Sequence, residues 1–395
     1  MAKAVKGAEK AEPAGAADEA TPELPRPQWM TVAGWLAAVF SVLCVIVISA
    51  VWVGHQAVPY KDAPDETRVI SHAQVDAFND ANVSTGVDGD ELPTYIPTGV
   101  MIQSLEFKGP YTLQMAGYLW QLYPLDREDI DRGVVFPEAD TTNVSKVYEA
   151  VQGDEVLVGW NFKTTLREQF DYGDYPLDRQ EIWLRMWSVD FEQNVFLVPD
   201  IGAYADPNPI TLPGVDPMVV LENWKIEESY FGYRLASYNA DFGIQDYQFV
   251  PKPELYFNIH AERYLLGPLF SQGIAPFIIL LQLFVIVMVI GRNSKRLEQF
   301  GVRPGAVLFT CAAYVFAVLV SQNALRNEVR WPSFVYLEGL HVITYFAIVA
   351  VAMNSVLLVA KPDLGLFTYG NAWARILYWP AITGAMLAIT VAAFW

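Results

Sequence analysis

Residues 267–290 read GPLFSQGIAPFIILLQLFVIVMVI, an apolar run interrupted strongly only at Ser271, Gln272 and Gln282. A helix rises about 1.5 Å per residue and the hydrocarbon core of a bilayer is about 30 Å thick, so about twenty such residues span it. Three more apolar runs follow, at 305–320, 334–359 and 376–395, separated by short charged breaks. The first and third runs are long enough to span. The fourth spans with its flanking Trp373 and Tyr378, and the second if it extends to Asn323. That second run carries Thr310, Ser321, Gln322 and Asn323 on an otherwise apolar helix. Polar side chains are costly in lipid, so they are expected to face another helix or water, which makes this helix a place to look for function.

Upstream, Met30–Val53 reads as an additional membrane span within 30–54, with Trp29, Trp35 and Trp52 near its ends as interfacial anchors. A cleaved signal peptide is the competing reading, but its apolar core would be only about 7–15 residues. Residues 1–29 hold hardly any large apolar side chain and are expected to be a disordered cytoplasmic tail. Residues 55–92 read as an acidic linker. Within it RVISHAQVDAFNDAN (68–82) has the pattern of one short amphipathic helix with Val69, Ala73 and Ala77 on one side; a solvated linker is the alternative.

Between 93 and 263 the pattern changes to short runs rich in Tyr, Trp, Phe and Val, punctuated by Pro and Gly. Examples are TGVMIQSLEF (98–107), TLQMAGYLWQLY (112–123), EVLVGWNFKTTLREQF (155–170), EIWLRMWSVDF (181–191), ENWKIEESYFGYRL (222–235) and ELYFNIHAER (254–263). Ile182, Leu184 and Met186 alternate with Trp183, Arg185 and Trp187. Strands at this spacing without helical patterns between them predict an all-β sandwich or barrel. Residues 264–395 are then a four-helix transmembrane domain. The basic residues Arg292, Lys295, Arg296 and Arg303, with Lys361 and Arg375, predict cytoplasmic loops by the positive-inside rule. The N-terminus is then inside a plasma or bacterial inner membrane, with the β domain and Trp395 outside.

The formal net charge is −18, most of it between His55 and Arg263, so the surface repels nucleic acid and attracts cations. Both cysteines, Cys44 and Cys311, lie in expected spans, leaving no disulfide for the β domain. No nucleophile elbow, phosphate-binding glycine loop or zinc spacing occurs, which argues against an enzyme and against a metal cofactor.

A β domain directly followed by four membrane helices resembles the pentameric ligand-gated ion channels, in particular the prokaryotic members of that Cys-loop receptor-like family. FDYGDYPLDRQEIWL (170–184) is similar to the family's signature loop, with its aromatic-Pro-apolar-Asp turn at Tyr175, Pro176, Leu177 and Asp178. Animal members bracket that turn with two cysteines and this chain does not. HAERYLLGPLFSQGIAP (260–276) resembles the start of the first helix, with Arg263 followed by Pro276, and RWPSFVYLEGL (330–340) the loop into the third, with Pro332 and with Glu338 where the family has Asp. The additional N-terminal span and the lack of a clear polar ladder in 305–323 depart from the family plan.

The resemblance implies a homopentamer whose outer β domain binds a ligand and whose second bundle helix lines an ion pore. Thr310, Tyr314, Ala317, Ser321 and Ala324 share one helical stripe of small or polar residues. They are expected to face the axis, with Phe309 and Phe316 packed outward; close helix packing explains the same stripe without a pore. Arg303 and Glu298 would flank the inner mouth, and Glu328 the outer. Opposite signs at the inner mouth leave selectivity open, and the acidic outer domain favours monovalent cations.

In the family the ligand binds between subunits in a box supplied by several loops, and that box maps to Trp120, Trp187, Phe191, Tyr238, Phe242 and Tyr247, aromatic faces suited to a cationic amine; the alternative for Trp120 and Trp187 is the sandwich core. Tyr175, Pro176, Asp178, Arg263 and Pro332 would couple the β domain to the helices, with Asp178 and Arg263 in salt-bridge reach. The acidic turns Asp126, Glu128, Asp129, Asp131 and Asp88–Glu91 are candidate calcium ligands, though neither completes a calcium loop. A non-conducting membrane sensor or scaffold is the other functional reading.

Overall fold

A computed structural model describes residues 27–60, 63–83, 93–190, 194–243, 251–290, 304–360 and 369–395. It contains two five-stranded β-sheets and five helices long and apolar enough to cross a membrane. Two compact units emerge. One comprises Ile46–Pro276, Leu319–Val342 and Met386–Trp395; the other comprises Phe277–Val318 and Ile343–Ala385 with the chain up to Val45.

In the first unit one sheet is ordered β1 (Glu66–Val69), β9 (Trp224–Ala236), β10 (Lys252–Arg263), β7 (Arg179–Ser188), β4 (Val134–Val135). The other is ordered β5 (Ala139–Gln152), β6 (Glu155–Arg167), β3 (Thr112–Pro124), β2 (Thr94–Gly109), β8 (Val195–Pro199), with β8 parallel to β2. Along β3 and β7 every second side chain is buried, as a strand with one core face requires. Ile96, Met115 and Phe162 from one sheet and Leu184, Phe231 and Phe257 from the other belong to a single hydrophobic cluster.

Strand β10 breaks that alternation, because Leu255 to Ala261 are all buried. Its second face carries Glu254, Tyr256, Asn258 and His260 beneath a polar layer. Glu66 accepts from Arg234 at 2.7 Å and from Asn258 at 2.5 Å, and Arg234 also reaches Glu181 at 2.7 Å. Gly232 makes room for this: a Cβ there would stand 2.3 Å from the Glu66 carboxylate. Arg68 and His260 both contact Glu228, at 2.8 Å each. Burial pushes the Glu228 carboxyl up, but its hydrogen bonds to Arg68 and His260 outweigh this and hold it below the usual carboxylate range.

Much of that layer comes from residues expected to be a linker. Strand β1 pairs antiparallel with β9. Helix α2 (His72–Asn82) follows, capped by Ser71, which accepts from the Gln74 amide, while Gln74 Oε1 accepts from the Ile70 amide. It buries Val75 and Phe78, not Ala73 and Ala77, which are exposed; Val69 belongs to β1. The reason is size: Phe78 stacks on Tyr233 with centroids 4.3 Å apart, burying far more apolar surface than two alanines.

The long helices are α1 (Gln28–Ala57), α3 (Leu266–Val289), α4 (Pro304–Val329), α5 (Glu338–Ala360) and α6 (Ala372–Phe394). Helix α3 widens to a π-turn at Leu269–Gly273, just before Pro276. Pro276 lacks an N–H and leaves the Gln272 carbonyl, four residues back, without its helical donor. Helix α4 outruns its apolar stretch, continuing through Arg326 and Glu328 to Val329 where a loop was expected. Within the second unit Tyr378 donates to the Leu280 carbonyl at 2.7 Å, and Trp29 lies against Trp373 with centroids 5.6 Å apart. The free cysteines Cys44 and Cys311 are both buried.

Candidate functional site

The turn after β6 is the meeting point of several elements. Asp178 and Arg263, brought together where β7 begins and β10 ends, form a bidentate pair at 2.6 and 3.0 Å, both buried. The guanidinium also lies over the rings of Trp224, at 4.0 Å, and Tyr175, at 4.9 Å. Burial opposes the Arg263 charge, but Asp178 outweighs it and pushes its pKa above the ordinary value. Gln180 donates to Asp178 as well, at 3.0 Å. A buried ion pair survives only when its remaining polar atoms are satisfied, and here they are met by aromatic faces and amides.

From the same turn Tyr175 donates its hydroxyl to Glu328 at 3.1 Å, near the end of α4, and Gln272 of α3 donates to the other Glu328 oxygen at 2.8 Å. The backbone amides of Tyr336 and Leu337, just before α5, donate to the carbonyls of Gly173 at 2.9 Å and Tyr175 at 3.2 Å. Burial and the neighbouring Glu328 push the Tyr175 hydroxyl far up, so it stays a donor. The Tyr175–Pro176 peptide is cis. Pro332 is exposed in the loop between α4 and α5, while its neighbour Trp331 packs edge-on against Tyr172 at 6.3 Å. Arg326 fixes that loop by pairing with Glu338 and donating to the Trp331 carbonyl at 2.8 Å. Glu328, expected at a pore mouth, is thus tied to the turn; Arg303 and Glu298 lie outside the described residues.

Three of the six expected box residues come together. Trp187, Tyr238 and Phe242 pack edge to face, with centroids 5.5, 5.5 and 6.1 Å apart, and Phe242 is 48% exposed. Beneath them Glu254 accepts from Trp187 at 2.7 Å and Tyr238 at 2.5 Å through one oxygen, and from Arg185 and Tyr256 at 3.2 Å each through the other. Arg185 stands 5.3 Å from the Trp187 ring and also pairs with Glu138. Burial and the Glu254 contact push the Tyr238 hydroxyl up. Trp120 is elsewhere: it lies across Gly99, where a Cβ would come within 2.1 Å of its ring, and donates to Asp200 at 2.9 Å. Phe191 and Tyr247 lie outside the described residues.

Sequence reading missed Glu254 and Arg185. The usable signals were an acid directly before the apolar triplet Leu255–Phe257 and an arginine between two tryptophans on one strand face.

On α4 the buried stripe is Val307, Cys311, Val318, Leu325 and Val329. Thr310, Tyr314 and Ser321 flank it, half-buried, while Ala317 and Ala324 are exposed. Thr310 donates back to the Ala306 carbonyl at 2.9 Å, and Ser321 hydrogen-bonds His341 of α5 at 3.0 Å. Phe309 and Phe316 do not pack among helices of their own chain; they are 79% and 70% exposed on the face opposite the buried stripe. Of the acidic turns, Asp129 is held by Arg127 at 3.0 Å, and Asp88–Glu91 lie outside the described residues. Among the described residues no three His, Cys, Asp or Glu side chains are grouped to hold a metal.

No family model matches the chain, and no curated protein matches its sequence.

Proposed function

We propose that the chain is one subunit of a ligand-gated ion channel-like membrane receptor. In this reading residues 93–263 form an outer β-sandwich, 264–395 a four-helix bundle and 30–54 an additional span, with residues 1–29 cytoplasmic. The resemblance supplies the five-fold assembly. The observation that carries the reading is the turn Gly173–Asp178, which at once engages Arg263 at the end of β10, Glu328 of α4 and the backbone ahead of α5. A ligand in the Trp187–Tyr238–Phe242 box would shift a closed–open equilibrium only by its difference in affinity for the two states, and this turn is the route by which strand positions reach the helices. A small cationic amine fits the ring faces over an acid-rich base, and monovalent cations are the proposed permeant ions.

Purified protein in liposomes, challenged with a panel of small amines, tests this by potassium flux. Ligand-dependent flux supports a channel; none at any concentration favours a non-conducting sensor or scaffold. The exposed Phe309 and Phe316 speak for that second reading, because they, and not the small, polar stripe, lie opposite the buried stripe of α4, and phenyl rings facing an axis make a poor ion path. Cysteine substitutions along 305–323 in a Cys311→Ser background separate the faces. A pore along the small, polar stripe predicts labelling by a water-soluble thiol reagent at Thr310, Ala317 and Ser321, whereas lipid or protein contact predicts protection throughout.

A further inference from the structure

The C-terminal end of α1 is built into the same joint. Trp52 donates its indole N–H to the Tyr336 hydroxyl at 2.8 Å, and that hydroxyl shares a hydrogen bond with Thr390 at 2.8 Å. His55 packs against the Phe394 ring at 4.7 Å, and its Nε2 lies 3.6 Å from the Asp174 carboxylate. The carbonyls of Gln56 and Val58 both accept from Arg179. Tyr60 then lays its ring 3.9 Å from that of His260, and burial with Glu181 nearby pushes its hydroxyl up to about 12.

These contacts bracket the coupling turn: Asp174 and Arg179 flank Tyr175–Asp178, and Tyr336 is the residue whose amide holds the Gly173 carbonyl. A membrane anchor needs only lipid-facing apolar surface, which the earlier part of α1 supplies through Val32, Trp35, Leu36 and Val39, all more than half exposed. Nothing about anchoring requires an indole, an imidazole and two carbonyls aimed at one turn.

We infer that Trp52–Tyr60 is a control input to the turn, so that a change in how α1 is held in the membrane alters the hydrogen bonds linking Gly173 and Tyr175 to Tyr336 and Leu337. Trp52 and His55 are positioning residues in this scheme, acting through Tyr336 and Asp174. The scheme rests on the reading that the turn carries the signal, but its test reads the turn itself and no current.

Amide hydrogen exchange on the full-length protein in lipid nanodiscs provides that test, with Tyr336 and Leu337 as reporters and Met115 and Phe162 as distant controls. Trp52→Phe removes the indole donor and keeps an aromatic ring; His55→Ala removes the contact to Asp174. Trp52→Phe loses one hydrogen bond and His55→Ala one 3.6 Å contact to a carboxylate, so exchange at the reporters should accelerate roughly two- to tenfold with the controls unchanged. Leu36→Met, on the same helix at a lipid-facing position 65% exposed that carries no interfacial anchor, should change neither. Unaltered reporters, an equal response to Leu36→Met, or acceleration spread to Met115 would each overturn the inference. Absent ion flux with a responding turn would instead remove the channel and leave the control element.

Discussion

Asp178–Arg263 and Glu254–Arg185 are built from the same parts and do opposite things. Each sets a buried carboxylate against a guanidinium under three aromatic rings, Tyr172, Tyr175 and Trp224 in the first case and Trp187, Tyr238 and Phe242 in the second. Around Arg263 all three rings are buried, so the cluster is closed. Around Glu254 the outermost ring is half exposed, so a ring face remains for a ligand. In the proposed reading the closed cluster is a joint and the open one a receptor site, and access to the ring faces, not the identity of the parts, separates them.

The largest effect expected from this contrast is at the joint. Arg263→Met should destabilise the protein by about 3–5 kcal/mol, because it strands the Asp178 carboxylate in a buried site. Adding Asp178→Leu should recover part of that loss, as measured by thermal unfolding in detergent. Glu254→Gln should cost less, about 1–3 kcal/mol, since Arg185 keeps Glu138 while the two donors on whichever oxygen becomes the amide NH2 lose their acceptor. A loss equal to that of Arg263→Met would mean the box is a second joint.

Glu168 sharpens the contrast. Among the described residues its buried carboxyl is met by the Trp183 amide, at 3.2 Å, through one oxygen, and its other oxygen has no hydrogen bond. Burial pushes it well above the usual carboxylate range. The folded state therefore holds this proton more tightly than the unfolded chain. The contribution is whole below about pH 4.3 and is lost as pH rises through the folded value, a tenfold difference in proton affinity being worth about 1.4 kcal/mol. Glu168→Gln should flatten the fall of stability as pH rises above about 4.3, checked by unfolding at several pH values; an unchanged slope would assign the proton elsewhere. The smallest stability change belongs to Phe242→Ala, within about 0.5 kcal/mol at an exposed position. It should nonetheless weaken tetramethylammonium binding about two- to fivefold by calorimetry, the worth of one exposed cation–π contact. Unchanged binding would take Phe242 out of the box.

What was legible in the sequence was whatever a single segment decides. The six quoted aromatic runs all carry strands, because one-sided burial imposes alternation, or, at β10, burial on both faces gives a run of large side chains in which Asn258 and His260 meet the polar layer. Strand β5 was invisible: its residues from Asp140 to Gln152 are all exposed, so ADTTNVSKVYEAVQ lacks the period-two alternation of a half-buried strand. The last turn of α4 looked like a loop because Arg326 and Glu328 are charged, yet their partners Glu338 and Tyr175 lie in other segments. The same limit governs the sites. The Asp178 turn announces itself within a few residues, whereas Glu254 meets Arg185 only through the register of β10 on β7, where Tyr256 pairs with Arg185. Trp120 depends on distant residues in the same way, since Gly99 across the β2–β3 pairing and Asp200 hold it on the other sheet.

Single-particle imaging of the purified full-length protein in nanodiscs tests the receptor assembly most directly. The account predicts five copies around one axis, α4 innermost and α1 at the periphery with Trp35 towards lipid. Single copies, or five copies with the Phe309–Phe316 face of α4 buried in lipid and no central path, would contradict it.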